Sequence, residues 1–300
     1  TGDGSLQILR LGHAFGGNLP STGAGPATVS LLSGEIQLSE TDVNITTPAG
    51  SFTANRVYYS QNLATNSTNN GFGVGWVNSF TATDTGLTDV KVTDGVTFTS
   101  NSVDKVVKIE DTTGDVLTFQ KTGSTFTALD DETTLSGLAL TISADGLTLT
   151  LTDAGGTKTF FTNTTPTTTA TWVVSGVNEP GSLFATCYQN VSNKLTKLVQ
   201  KLATNNTPCS TLYAGVSYTP DVRVMSITYA AATTAASVTG QSTTTGLGDV
   251  LGLIKNISYQ AFDPATNTYP IVVQSSYQYQ QLDGMAVLVL ATDNRDNTST

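Results

Sequence analysis

Charge is scarce in this chain. Asp, Glu, Lys and Arg make up 12% of its 300 residues, about half the ~25% of an ordinary soluble domain. Hydroxyls and amides must therefore supply the wetted surface, and Thr, Ser and Asn are abundant throughout. The 13 Lys and Arg are scattered and outnumbered by 23 Asp and Glu, for a net charge of −10. Tracking a phosphate backbone takes clustered cations, so a nucleic-acid partner is excluded. No apolar run approaches the ~18 residues of a spanning helix, so no membrane span is expected. No basic, apolar, small-residue leader opens the sequence either. The single histidine, His13, sits in LRLGHAFGGN without a G-x-S-x-G partner motif. That leaves nothing from which to assemble a Ser-His-Asp triad or a histidine zinc site. Two cysteines remain, Cys187 and Cys209, with Pro208 beside the second. They suit one loop-closing disulfide, with two reduced buried thiols as the alternative. Low charge and such a pair point to a secreted or cell-surface setting.

The short motifs that resemble active sites lack their partners. Asp84-Thr85-Gly86 matches an aspartic-protease tripeptide, but no second copy exists to share a proton with it. Asp130-Asp131-Glu132 and Asp293-Asn294-Arg295-Asp296 offer carboxylates to a hard cation without an EF-hand frame, and read as solvated turns. Leu19 to Gly23 (LPSTG) has no apolar span and basic tail after it. Sequons at Asn44, Asn66, Asn163, Asn190, Asn205, Asn256 and Asn297 barely exceed what so much Ser and Thr produces by chance. Tyr259, Phe262, Tyr269, Tyr277 and Tyr279 could stack on sugars, or pack a core. No catalytic residue, metal ligand or cofactor is expected, and the chain reads as a non-enzyme.

What is present is alternation. Segments such as 35–45 (EIQLSETDVNI), 51–60 (SFTANRVYYS), 147–152 (LTLTLT) and 270–280 (PIVVQSSYQYQ) repeat with period two and are rich in Thr, Val, Ile, Tyr and Phe, as half-buried strands are. Asp94-Gly95, Gly114-Asp115, Asp145-Gly146 and Gly155-Gly156 punctuate them at hairpin spacing. The expected fold is all-β, a curling antiparallel sheet of successive hairpins. Thr-rich tracts near 162–171 and 233–246 read as exposed loops. In Ser192 to Ala203 the residues Leu195, Leu198, Val199 and Leu202 fall at i, i+3, i+4 and i+7, with Lys194, Lys197 and Lys201 opposite. The same letters make a strand, so one short helix near 192–203 is the most the sequence allows.

Gly71 to Phe80 (GFGVGWVNSF) opens with three glycines at alternate positions, 71, 73 and 75. As a strand it would show Phe72, Val74, Trp76, Asn78 and Phe80 on one face. Gly71, Gly73 and Gly75 would lie on the other, where they permit bending or close approach. G-x-G-x-G followed by aromatics is not a dinucleotide loop.

SLLSGEIQLSETDVNIT (30–46), RVYYSQ (56–61) and GFGVGWVNSF (71–80) resemble, in order and spacing, the opening module of RHS/YD-repeat proteins. The resemblance rests on Arg56 and Tyr58 of an R-x-Y-x-S strand and on Gly71, Gly73, Gly75 and Trp76 of a G-x-G-W turn. Later hairpins, such as GDVLTFQKTGSTFTA (114–128) and SSYQYQQLDGMAVLVLATD (275–293), fit more loosely. The resemblance implies an N-terminal extension over 1–27 and a β-sheet domain over 28–300 that begins a spiral shell. No Asp-Pro-x-Gly self-cleavage motif and no toxin domain follow within the sequence. The implied role is structural: a shell segment or subunit whose partners are β-strands of the same or a neighbouring chain, as a homo-oligomer or within a larger polypeptide. A carbohydrate-binding or adhesive module is the alternative.

Overall fold

The computed structural model describes residues 20–47, 50–61, 71–81, 91–97, 105–110, 116–122, 125–129, 131–163, 171–192, 194–204, 207–214, 218–293 and 298–299. It is all-β. The first strands, β1 (Ser21–Ala24), β2 (Ala27–Ser30), β3 (Ile36–Thr47), β4 (Gly50–Tyr59) and β5 (Trp76–Thr81), form a five-stranded antiparallel meander in sequence order. Because β1 pairs with β2, the division drawn at residue 28 falls inside a hairpin.

The second sheet starts with β6 (Lys91–Thr97), β7 (Lys105–Glu110), β8 (Val116–Thr122) and β9 (Thr125–Ala128). A one-turn helix, α1 (Asp131–Leu135), leads to β10 (Ala139–Ile142), β11 (Thr148–Thr152), β12 (Lys158–Asn163) and β13 (Thr171–Asn178). Strand β13 returns to β6 through Thr171 and Trp172, so these strands bend into a ring around Phe119, Leu149, Leu151, Phe161 and Trp172. Among the described residues no ladder joins β9 to β10, and the ring stays open there.

From the other half of β13 the meander runs on through β14 (Phe184–Val191), β15 (Lys194–Leu202), helix α2 (Cys209–Tyr213), β16 (Arg223–Tyr229), β18 (Ile254–Ala261), β19 (Ile271–Leu282), β20 (Met285–Asp293) and β21 (Thr298–Ser299), while the short β17 (Ser237–Val238) stands off this path and pairs parallel with β19. Register shifts interrupt β12/β13, β14/β15, β16/β18, β18/β19 and β19/β20. Each inserts an extra residue and raises the local twist, and repeated along the meander these bulges curl the sheet.

Alternation assigns the two faces. Along β15, Leu198 joins the core shared with the five-stranded sheet, whereas Val199 joins a small cluster under α2. Residues 194–202 are thus a strand, and the helical option near 192–203 is corrected. Among the described residues the two helices, of five residues each, lie at 131–135 and 209–213. Of the Thr-rich tracts, 233–246 is mostly exposed, while 164–170 lies outside the described residues. The exposed tract is tied down by Gln280, which is wholly buried and bonds Thr243, Thr245 and Ser242.

Candidate functional site: a glycine loop joining two sheets

The strand expected over Gly71 to Phe80 begins only at Trp76. Residues 71–75 form a loop in which Gly71, Gly73 and Gly75 have φ of 71°, 91° and 81°. Those are left-handed values that cost L residues ~1–2 kcal/mol each, so the glycines serve backbone conformation rather than one face of a strand. Space is closed as well. A Cβ on Gly71 would lie 2.7 Å from Ile254 Cδ1 and from Asn78 Nδ2, one on Gly73 would strike the Ala286 carbonyl oxygen, and one on Gly75 the Tyr58 ring.

That tightness lets the loop's backbone stitch the sheets together. Ile254 N–H donates to Gly71 O (2.7 Å), Val74 N–H to Ala286 O (3.1 Å) and Tyr59 N–H to Gly75 O (2.8 Å). One five-residue loop is therefore bonded to β18, β20 and β4. Phe72 enters the core edge-on to Tyr277, with ring centroids 4.8 Å apart. Trp76 packs against Tyr58 at 5.5 Å and carries the Arg56 guanidinium 4.7 Å above its ring.

The structure brings Arg56, Tyr58, Gly71, Gly73, Gly75 and Trp76 together, and it adds partners that the sequence reading passed over. Asp42 is the extra residue of a bulge between Thr41 and Val43, opposite Asn55 and Ala54. The bulge places its carboxylate against Arg56 Nε at 2.9 Å, with side chains 9% and 5% exposed. Its carbonyl accepts from Ser275 Oγ of β19 (3.2 Å). Tyr277 lies beside this pair. Burial pushes its phenol well above the usual tyrosine range, and the Asp42 charge adds to the effect. Tyr279 is raised too, chiefly by burial, and donates to Ile254 O at 2.5 Å. The signal for Asp42 was present in SETDVN, where one polar residue too many interrupts the alternation before Val43.

This junction is tightly packed and its loop backbone is hydrogen-bonded to three strands, which suits fixing two sheets against each other. Cys187 and Cys209 are joined in a disulfide, Cα–Cα 5.9 Å. Of the aromatics that could stack on sugars, Tyr259, Tyr277 and Tyr279 are buried in the core. Phe262 and Tyr269 are half-buried and cluster with Tyr218. His13, Asp84-Thr85-Gly86, Asp130 and residues 294–297 lie outside the described residues. Among the described residues no His/Cys/Asp/Glu group could hold a metal ion, and no helix is long and apolar enough to cross a membrane.

The described residues thus form an antiparallel sheet wound from hairpins and joined to a smaller sheet. No family model matches the chain, and no curated protein matches it. Among solved structures it is similar to TcdB2-TccC3, with a TM-score of 0.51 and 13% identity over 100% of this chain. It is also similar to a Photorhabdus luminescens Tc holotoxin pore, with a TM-score of 0.50 and 12% identity, again over 100% of this chain. In both cases it spans 17% of the neighbour's length. The N-terminal domain of the effector protein SpvB from Salmonella typhimurium strain LT2 matches with a TM-score of 0.46 and 14% identity, over 85% of this chain and 98% of that one. At such identities the first two likenesses speak for the fold alone.

Proposed function

We propose that the chain is a non-enzymatic structural segment of an exported RHS/YD-type β-shell, whose sheet is continued by a strand of a neighbouring copy or of a longer polypeptide. The observation that carries this reading is the outer edge of β20. The Ala286 carbonyl faces away from β19, because the amide opposite it, Gln281 N–H, is bonded to Ala236 O. Val74 caps that carbonyl, and β21 covers Ala291 and Thr292. Between those points Val287, Leu288, Val289 and Leu290 are half-buried, uncharged and, among the described residues, unpaired on the outer side. An uncharged, apolar edge with open backbone groups recruits another strand. The likeness to the two toxin-assembly chains, of which this chain matches a fraction, supports the same reading at the level of fold.

Light scattering across a concentration series, with amide exchange read at β20, tests it. The unmodified chain should self-associate, and Val287→Lys, a charge on the edge, should return it to monomer. A strictly monomeric chain whose Val287–Leu290 amides exchange slowly would sink the proposal. The carbohydrate-binding reading keeps little support, since three of its five aromatics are core.

A further inference from the structure

Between β15 and β16 the chain leaves the sheet and carries α2 across the face opposite the five-stranded sheet. There Cys187, Val199 and Val224 stand side by side in register on three adjacent strands, and Leu212 of α2 packs on them with Val222 beneath. Lys197 and Lys201, two residues either side of Val199 and so on the same face, grip the crossing from their Nζ atoms. Lys197 donates to Tyr213 O at 2.7 Å and Lys201 to Thr207 O. Farther along, the Tyr218 ring lies against Tyr269, whose hydroxyl donates to Thr219 O. Helix α2 itself is weak: it has five residues, its N-cap is Pro208, and it has no side-chain cap. A helix of this length does not stand alone in water. A covalent tie, Cys209 to Cys187, joins its first residue to the sheet.

We propose that this disulfide is a reductively opened latch. In an oxidising medium it keeps α2 over the apolar row of Val199, Val222 and Val224; a dithiol reductant releases α2 while both other cores stay folded. Cys209 is half-exposed and Cys187 only 2% exposed, so a reductant thiolate attacks Cys209 Sγ. The Cys209–Cys187 bond breaks, a mixed disulfide forms on Cys209, and the Cys187 sulfur leaves with the electron pair and takes up a proton. The reductant's second thiol then displaces Cys209, which is protonated in turn, and the reductant departs as a disulfide, having given two electrons. This inference is independent of the shell reading.

The molecule carries its own controls. Trp76 belongs to the core between the sheets and Trp172 to the ring core, and neither joins the cluster under α2. Chymotrypsin cuts after Leu212, Tyr213 and Tyr218, all in the crossing. Dithiothreitol should raise cleavage there about tenfold or more, with tryptophan emission and far-ultraviolet dichroism unchanged. The Cys187→Ala, Cys209→Ala double variant should be cut at the fast rate with or without reductant. If labelling shows two free thiols and cleavage is no faster, the other contacts hold α2 and the latch does not exist. If emission shifts to the unfolded value as the bond opens, or the double variant does not fold, the bond is a global staple and the proposal fails.

Discussion

Replacing Gly73 with alanine asks the most of the glycine loop. Its φ of 91° lies where an L residue is strained, which costs ~1–2 kcal/mol. The added Cβ would also meet the Ala286 carbonyl oxygen, a backbone atom fixed in β20 that cannot swing aside. Relief requires the loop to lift from β20, losing the bond from Val74 to Ala286, which adds about 0.5–1.5 kcal/mol, and leaving the loop underpacked for ~1–3 kcal/mol more. The total is roughly 3–6 kcal/mol, comparable with the whole stability of many domains. Gly284 supplies the control: its φ is 82°, in the Asp283-Gly284 turn between β19 and β20, but nothing lies within 4 Å of its Cβ position. Gly284→Ala should show the conformational part alone, about 1–2 kcal/mol. Urea unfolding followed by tryptophan emission measures both. If Gly73→Ala proves no worse than Gly284→Ala, the close approach to β20 contributes nothing and the stitched junction is refuted.

Two further outcomes follow from the buried groups. Arg56→Met strands the Asp42 carboxylate and should cost ~3–5 kcal/mol, whereas adding Asp42→Leu should recover most of the loss, because a buried pair exchanged for apolar side chains is often close to neutral; a double-mutant cycle showing simple additivity would refute the pairing. Burial pushes Tyr213 and Tyr269 up to about 12, against ~10 unfolded, so the stability they contribute is complete below pH ~10 and is lost as pH rises toward 12, the share of the more exposed Tyr269 being smaller; tyrosinate absorbance should then rise together with unfolding, and a gradual rise near pH 10 with unchanged tryptophan emission would contradict this.

Much of the fold is legible in the sequence because hairpins are local. Asp145-Gly146 and Gly155-Gly156 sit at the turns between β10, β11 and β12, with Gly146 and Gly156 at φ of 73° and 88° as such turns demand. Residues 192–203 misled for a physical reason. Leu198 and Val199 are adjacent and both fully buried, which a surface helix permits by placing them on one stripe. Here one face of β15 meets the five-stranded sheet and the other meets α2, so neighbours on opposite faces are both covered. A strand buried on two sides loses its alternation and imitates other patterns. Long-range closure was illegible too: nothing in Thr171 and Trp172 announces pairing with Val92 and Thr93.

The glycine loop shows why its alternating letters could be read in two ways. Residue spacing reports side-chain periodicity, and G-x-G-x-G fits a strand with one bare face as well as a loop with three left-handed residues. The deciding fact is non-local. A bare strand face would need some other segment laid flat against it, whereas the loop spends its backbone groups on β4, β18 and β20 at once. By bonding Ala286 it also caps the first part of the β20 edge, so the element that joins the two sheets is the one that shortens the exposed edge. In a chain with so little charge to guard an edge, that leaves Val287–Leu290 as the stretch where a further strand has the most to gain.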